Sequence, residues 1–293
     1  MKYILPKKIK KGDTIGIISL SGVVEDKKSF EQGVKKLEEL GFKVKVSEHV
    51  FDRSRYLAGN DDDKIEELHK FFKDPEVDCI LCSRGGYGAI RLVDKIDYSV
   101  IRKNPKVFCG YSDVTVLSAM ILKKAGLVTY SSPMVVGDFG SENVSDFTLK
   151  NFVKAIQGNA LEFALYGDMT KEVSGICFGG NLTTLASLCG RDFVPEKDFV
   201  LVIEDINEPV YKIDRCMAQL FGVAGFRENI TGIVAGDFSG VDSLEDLDWV
   251  LNHYASLLDV PIWRGLKLGH ETEKVTIPIG KECFIKENKI FFN

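Results

Sequence analysis

Histidine is scarce in this chain, with four in 293 residues. His49, His69, His253 and His270 are too scattered to match the clustered spacing of a metal site, and no metal or other cofactor is expected. No apolar run approaches the roughly 20 residues of a membrane-spanning helix. The opening Met1-Lys-Tyr-Ile-Leu-Pro-Lys-Lys lacks the apolar core and small-residue cleavage site of a signal peptide, so a cytoplasmic, membrane-free location is expected. There is no excess of basic charge either. Lys and Arg number 38 against 43 Asp and Glu, and the net charge of −5 argues against nucleic acid or an anionic membrane as partner. The seven cysteines form no obvious disulfide framework. Cys79, Cys82, Cys109 and Cys177 lie in or beside apolar runs and read as small buried residues. Cys79 and Cys82 have C-x-x-C spacing, but a strand pattern does not present two sulfurs as a redox turn would. Repeats and low-complexity segments are absent.

What is present is a regular alternation. Thr14–Leu20 reads as a strand and Lys27–Leu40 as a helix stopped by Gly41. Lys43–Val46 follows as a strand, Asp61–Lys73 as a helix with an acidic first turn, and Val77–Cys82 and Lys106–Gly110 as strands. Repeated β-α-β units imply a parallel sheet covered on both faces, with its site at the carboxyl ends of the strands. From Gly137 to Lys171 the chain is more polar and reads as a connection holding one helix, Asp146–Ile156. Beyond it strands predominate: Phe199–Ile203, Ile230–Ala235, Lys274–Ile279 and a terminal hairpin around Glu287-Asn288-Lys289. Helices are expected at Leu182–Leu188, Ile213–Phe221 and Leu244–Leu258. The pattern predicts an α/β protein. An N-terminal doubly wound parallel-sheet domain (1–135) is joined by a connecting segment (136–170) to a C-terminal β-rich α/β domain (171–293).

The segment Lys106-Val-Phe-Cys-Gly-Tyr-Ser112-Asp-Val carries the most information. An apolar strand ends at Gly110, and a helix with Val114, Leu117, Met120 and Ile121 on one stripe begins just beyond. A serine at such a junction is lifted out of the sheet beside the free N–H groups of the helix, which is the geometry of a nucleophile elbow. The alternative is that Ser112 caps the helix, with Asp113 complementing its dipole. Other strand ends carry further candidates. Ser83-Arg-Gly-Gly-Tyr-Gly88 permits close backbone approach and upturned N–H groups, either as an oxyanion loop or as a phosphate loop lacking the G-K-[ST] ending, or else it is a plain turn. Glu204 and Asp205 follow directly on the expected strand Phe199–Ile203. His270 alone among the histidines sits in a glycine-bracketed loop. A serine needs a base, and the base needs a partner that fixes its tautomer. Ser112, His270 and Glu204 would fill those roles if the fold brought them together.

These residues resemble the LD-carboxypeptidases, the serine peptidase family that includes muramoyltetrapeptide carboxypeptidases and microcin C immunity peptidases. The resemblance runs along nearly the whole chain. It rests on Tyr56-Leu-Ala-Gly59-Asn-Asp, Arg84-Gly-Gly-Tyr-Gly88 with Arg91-Leu92, and Gly110-Tyr-Ser-Asp113. It continues through Gly179-Gly-Asn-Leu182, Glu204-Asp205 with Tyr211-Lys-Ile-Asp-Arg215, and Gly269-His270 followed by Pro278-Ile-Gly280. It implies Ser112 as nucleophile, His270 as general base and then acid, and Glu204 as the group orienting His270. It also implies an oxyanion hole from the N–H groups of Asp113 and Gly86, and a site at the interface of the two domains.

The implied reaction cleaves the amide between an L-centre and a terminal D-amino acid, releasing D-Ala from a muropeptide tetrapeptide in peptidoglycan recycling. Arg84 and Arg215 are candidates, on chemistry alone, for holding the substrate carboxylate. A small peptide is the expected partner, and a homodimer is common in the family. The chain departs from the family where Ser131-Ser132-Pro133 replaces His-Gly-Pro and where Gly190-Arg191 replaces Gly-Thr. Two other functions compete. An immunity peptidase acting on aminoacyl-nucleotides would need an aromatic platform, for which neither Trp249 nor Trp263 is evidently placed. A non-enzymatic anion-binding protein would use Ser112 as a cap and the glycine loop as a cradle.

Overall fold

The structure, a computed structural model, describes residues 2–293. Two sheets organise it. The first has the order Ile277–Ile279, Thr129–Ser131, Val107–Cys109, Cys79–Cys82, Thr14–Ile18, Lys43–Val46. Its five N-terminal strands are mutually parallel. The chain runs outward from Thr14–Ile18 in one direction and then continues from Cys79–Cys82 in the other, as in a doubly wound sheet. The strands Ile15–Ile18 and Cys79–Cys82 are fully or nearly fully buried, which is why they read as unbroken apolar runs.

The sixth strand is a correction to the expected segregation of elements. Lys274–Ile279 was expected to be a strand of the second half. Only Ile277–Ile279 pairs, and it joins the first sheet antiparallel to Thr129–Ser131. The chain after His270 therefore ties the second half back to the first.

The second sheet has eight strands, with Val173–Asn181, Phe199–Ile206, Ile230–Ser239 and Ile262–Arg264 parallel at its centre. Glu282–Lys286 and Lys289–Phe292 form the terminal hairpin, turned by Glu287 and Asn288 at positive φ. The polar connection holds the expected helix Asp146–Ile156, capped by Ser145. It also contributes two unforeseen strands, Leu161–Ala164 and Tyr166–Gly167, which lie at opposite edges of this sheet. Only Leu165 separates them, so the sheet curls until its two edges meet there.

The nine-residue strand Val173–Asn181 was also unforeseen. Its glycines dilute the strand signal, yet the packing requires them. A Cβ on Gly179 would lie 2.0 Å from the Val202 carbonyl oxygen, and one on Gly180 would lie 2.7 Å from Thr115 Oγ1. Asn181 N–H donates to Thr115 Oγ1 at 3.1 Å. The carboxyl end of this strand thus abuts the helix that begins after Ser112, bringing the carboxyl ends of both sheets together.

Candidate active site

Ser112 follows the strand Val107–Cys109 and opens a 3-10 turn, Ser112–Val114, that runs into the helix Thr115–Met120. Gly126, at φ 72°, ends the last turn of that helical stretch. No side-chain cap bond is made at either helical start, so Ser112 is not the helix cap that competed with the elbow reading. Its φ is +60°, a left-handed conformation that costs a non-glycine residue about 1–3 kcal/mol and persists only where the surroundings impose it.

The surroundings are tight. A Cβ on Gly85 would lie 3.0 Å from Ser112 Cβ and 3.1 Å from its Oγ. The glycine loop therefore lies directly on the serine, and only Gly85 permits the approach. Gly86, at φ +111°, follows. The Gly85 carbonyl accepts from the Gly22 N–H at 3.1 Å and from Arg84 Nε at 3.3 Å. In a trans peptide the N–H of the next residue points the opposite way, so the Gly86 N–H is directed away from Gly22. The side chain of Asp113 is buried and accepts from the Ala89 N–H at 2.9 Å. It pins the end of the glycine loop to the turn that carries the nucleophile candidate. Burial raises its pKa, and the Ala89 hydrogen bond opposes the rise.

His270 and Glu204 arrive from the second sheet. Glu204 lies near the carboxyl end of the central strand Phe199–Ile206 and is 2% exposed, and its Oε2 lies 3.0 Å from His270 Nδ1. Pairing at Nδ1 leaves Nε2 as the free face of the imidazole. Asp205, one residue on, points to the opposite side. There it accepts from Asn181 Nδ2 and from the Thr183 N–H and hydroxyl, which is a structural duty. Tyr111 bridges the halves: its ring centroid is 4.9 Å from that of His270, and it immediately precedes Ser112. Ser112 Oγ makes no direct hydrogen bond to His270 among the described residues.

Sequence reasoning did not find the support beneath Tyr111. Lys274 Nζ lies 2.6 Å from Asp138 Oδ1 and 3.0 Å from the Tyr111 hydroxyl. It also sits 4.5 Å from the centroid of the Tyr111 ring. The Asp138 carboxylate accepts from the Met134 N–H at 2.8 Å as well. Burial, with the Asp138 charge beside it, pushes the Tyr111 phenol well above its ordinary pKa. Asp237 is a further unforeseen acid. It sits on the bulged strand Ile230–Ser239, and a Cβ on Gly269 would lie 3.1 Å from its Cβ. Burial first, then the charges of Glu271 and Glu204, pushes its carboxyl up to about 6.

The substrate-binding candidates separate. Arg84 stands beside the glycine loop, donating from Nη1 to the Val23 carbonyl at 2.9 Å. Arg215 is exposed on the helix Val210–Phe221 with its guanidinium 5.8 Å from the Tyr211 ring, and nothing in its contacts joins it to Ser112, His270 or Glu204. The other histidines have local partners: His49 pairs with Asp52, His69 accepts from the Asp97 N–H, and His253 stacks on Trp249. His49, Asp52 and Asp63 bring ligand atoms within 4.8 Å of one another, but His49 is exposed and nothing else there points to an ion. Trp263 is fully buried, whereas Trp249 is exposed. A cavity of about 920 Å³ along the helix Asp61–Lys73 touches none of the candidate residues.

A strained serine at a strand–helix junction, next in the chain to a tyrosine whose ring packs on a carboxylate-bound imidazole, is an arrangement of the kind that acyl transfer employs. Residues 15–132 match the LD-carboxypeptidase N-terminal domain and residues 174–285 the LD-carboxypeptidase C-terminal domain. This chain belongs to the LD-carboxypeptidase family and is an enzyme of that serine-peptidase class. A probable murein peptide carboxypeptidase of Bacillus subtilis (strain 168) is 36% identical over 291 residues, covering 95% of this chain and 90% of that protein. The crystal structure of an MccF-like protein from Bacillus anthracis str. Ames superposes with a TM-score of 0.90 at 31% identity and covers 99% of both chains. A muramoyltetrapeptide carboxypeptidase from Oxalobacter formigenes superposes with a TM-score of 0.86 at 30% identity, covering 95% of this chain and 97% of that one.

Proposed function

We propose that this carboxypeptidase releases the terminal D-Ala of muropeptide tetrapeptides through an acyl-enzyme on Ser112. The observation that carries the reading is the convergence of a positive-φ Ser112 from one sheet with the His270–Glu204 pair from the other, joined by the 4.9 Å contact of Tyr111 and His270. His270 Nε2 takes the hydroxyl proton as Ser112 Oγ bonds to the carbonyl carbon of the L-centre. The tetrahedral oxyanion is received by the N–H groups of Asp113 and Gly86. Collapse breaks the C–N bond, and the imidazolium gives its proton to the departing D-Ala amine. Water, deprotonated by the same imidazole, then hydrolyses the ester and returns Ser112 to its starting state. Glu204 holds the Nδ1–H tautomer and stabilises the imidazolium. The substrate assignment draws on the names of the murein and muramoyltetrapeptide relatives and on the motifs they share with this chain.

The MccF-like neighbour keeps an immunity peptidase acting on aminoacyl-nucleotides as the competing reading. Incubation with a muropeptide tetrapeptide and, separately, with an aminoacyl sulfamoyl nucleoside, followed by mass spectrometry, tests the two. Release of D-Ala from the first and no cleavage of the second is the expected result. Cleavage of the nucleoside conjugate alone would replace the muropeptide assignment.

A further inference from the structure

A groove of about 690 Å³ opens beside the glycine loop, and among its lining residues are Arg53, Arg55, Arg84, Tyr56, Tyr87 and Glu25. Its place in the fold is informative. It lies beyond the carboxyl ends of the adjacent strands Thr14–Ile18 and Cys79–Cys82, where the direction of strand addition reverses and the two connections diverge to leave a crevice. The Gly22 N–H to Gly85 carbonyl bond fixes one wall. Gly85, which stands in the chain between the lining residues Arg84 and Gly86, packs on Ser112 and so links the groove wall to the nucleophile candidate.

Its charge runs against that of the chain. The protein carries a net charge of −5, yet the groove presents three arginines against Glu25. Glu25 pairs with Arg53 at 3.2 Å and Arg84 is spent partly on the Val23 carbonyl. Arg55 has no acidic partner among the described residues. It occupies the tip of a tight turn closed by reciprocal Ser54–Leu57 hydrogen bonds of 2.9 and 3.0 Å, with φ +58°. Arg53 Nε donates to its carbonyl at 3.0 Å. Ala58 N–H donates to the Ser21 carbonyl at 3.0 Å, docking the turn on the groove. The turn thus holds the exposed Arg55 at the mouth of the groove with its guanidinium available to a ligand. Tyr56 and Tyr87, 62% and 50% exposed with ring centroids 6.0 Å apart, form an aromatic rim over which a peptide backbone can lie.

We infer that this groove binds the acyl-side portion of the stem peptide and that Arg55 pairs with a free carboxylate there. The inference rests on the muropeptide reading and deepens it. A volume of this size suits a ligand of several residues, whereas the leaving group is a single D-Ala. The acyl portion of a stem offers two such carboxylates, on the γ-linked glutamate and on the side chain of a diaminopimelate. Both suit the guanidinium fork.

The test compares kcat/KM for D-Ala release from three tetrapeptides: both carboxylates free, the glutamate amidated, and the diaminopimelate side chain amidated. Wild type should lose about tenfold or more on one of the two amidations, as expected for a charge-assisted hydrogen bond. Arg55→Gln should lower kcat/KM for the free substrate by a similar factor through KM, and should bring the sensitive pair of substrates within about threefold of each other. The amidation that wild type feels identifies which carboxylate is held. Equal wild-type rates on all three stems, or an unchanged substrate ratio in Arg55→Gln, would overturn the inference while leaving the muropeptide reading intact. No D-Ala release from any stem would overturn that reading and the inference with it.

Discussion

Lys274 Nζ and Asp138 Oδ1, 2.6 Å apart and 136 residues apart in the chain, form a buried ion pair that fastens the second half of the protein to the first beside His270. Their side chains are 5% and 9% exposed. Together they hold the Met134 backbone and Tyr111, whose ring packs against His270. Removing one partner strands the other charge. Lys274→Met or Asp138→Leu alone should cost about 3–5 kcal/mol of stability, and the double replacement appreciably less. Urea denaturation of the two single variants and the double variant checks this. Additive losses would show that the pair is not coupled.

Gly85 tests the contact between the loop and the nucleophile. Its φ is not positive, so alanine meets no backbone penalty, only the side chain of Ser112 at 3.0–3.1 Å. Gly85→Ala should lower kcat by about 100-fold through misplacement of Oγ, with the unfolding midpoint shifted by only a few degrees. Retention of wild-type kcat would show that the serine and the loop do not have to be in register.

The strain at Ser112 predicts a stability difference between two inactive variants. Glycine accepts φ +60° without penalty, whereas alanine does not. Even after the entropy that glycine adds to the unfolded chain, Ser112→Gly should be more stable than Ser112→Ala by about 1 kcal/mol. The opposite order in chemical denaturation would mean that the elbow is not strained.

Asp237 gives a pH dependence of definite sign. Its folded carboxyl is raised to about 6, so the folded chain holds this proton more tightly than the unfolded chain. The stabilisation is complete below about pH 4 and is lost as pH rises through 6. Its ceiling is about 3 kcal/mol, reduced by the group's partial exposure. Asp237→Asn should therefore melt higher than wild type at pH 8, with the difference vanishing or reversing near pH 4. A difference independent of pH would remove Asp237 from this role.

The alternating elements of the first sheet and the strand-to-helix turn at Ser112 were legible because each has a local signature, apolar periodicity or a glycine turn, whereas the contact of Glu204 with His270 has none. Asp61–Lys73 and Leu244–Leu258 were legible to their ends because Asn60 and Ser243 cap their first turns and their burial is periodic. Val173–Asn181 was hidden by glycines whose purpose is contact with Val202 and Thr115, partners remote in sequence. Lys274 read as the start of a strand, and its pairing with Asp138 and Tyr111 has no local trace. Arg84 and Arg215 looked equivalent as isolated cations. Only the fold separates an arginine beside the glycine loop from one lying over Tyr211.

The most direct measurement is the rate of D-Ala release from a muropeptide tetrapeptide by wild type and by Ser112→Ala, with circular dichroism confirming that the variant is folded. Loss of the nucleophile should reduce kcat by about 10⁴-fold or more, with the fold unchanged. A folded Ser112→Ala enzyme that releases D-Ala at the wild-type rate would contradict the assignment of Ser112 as nucleophile.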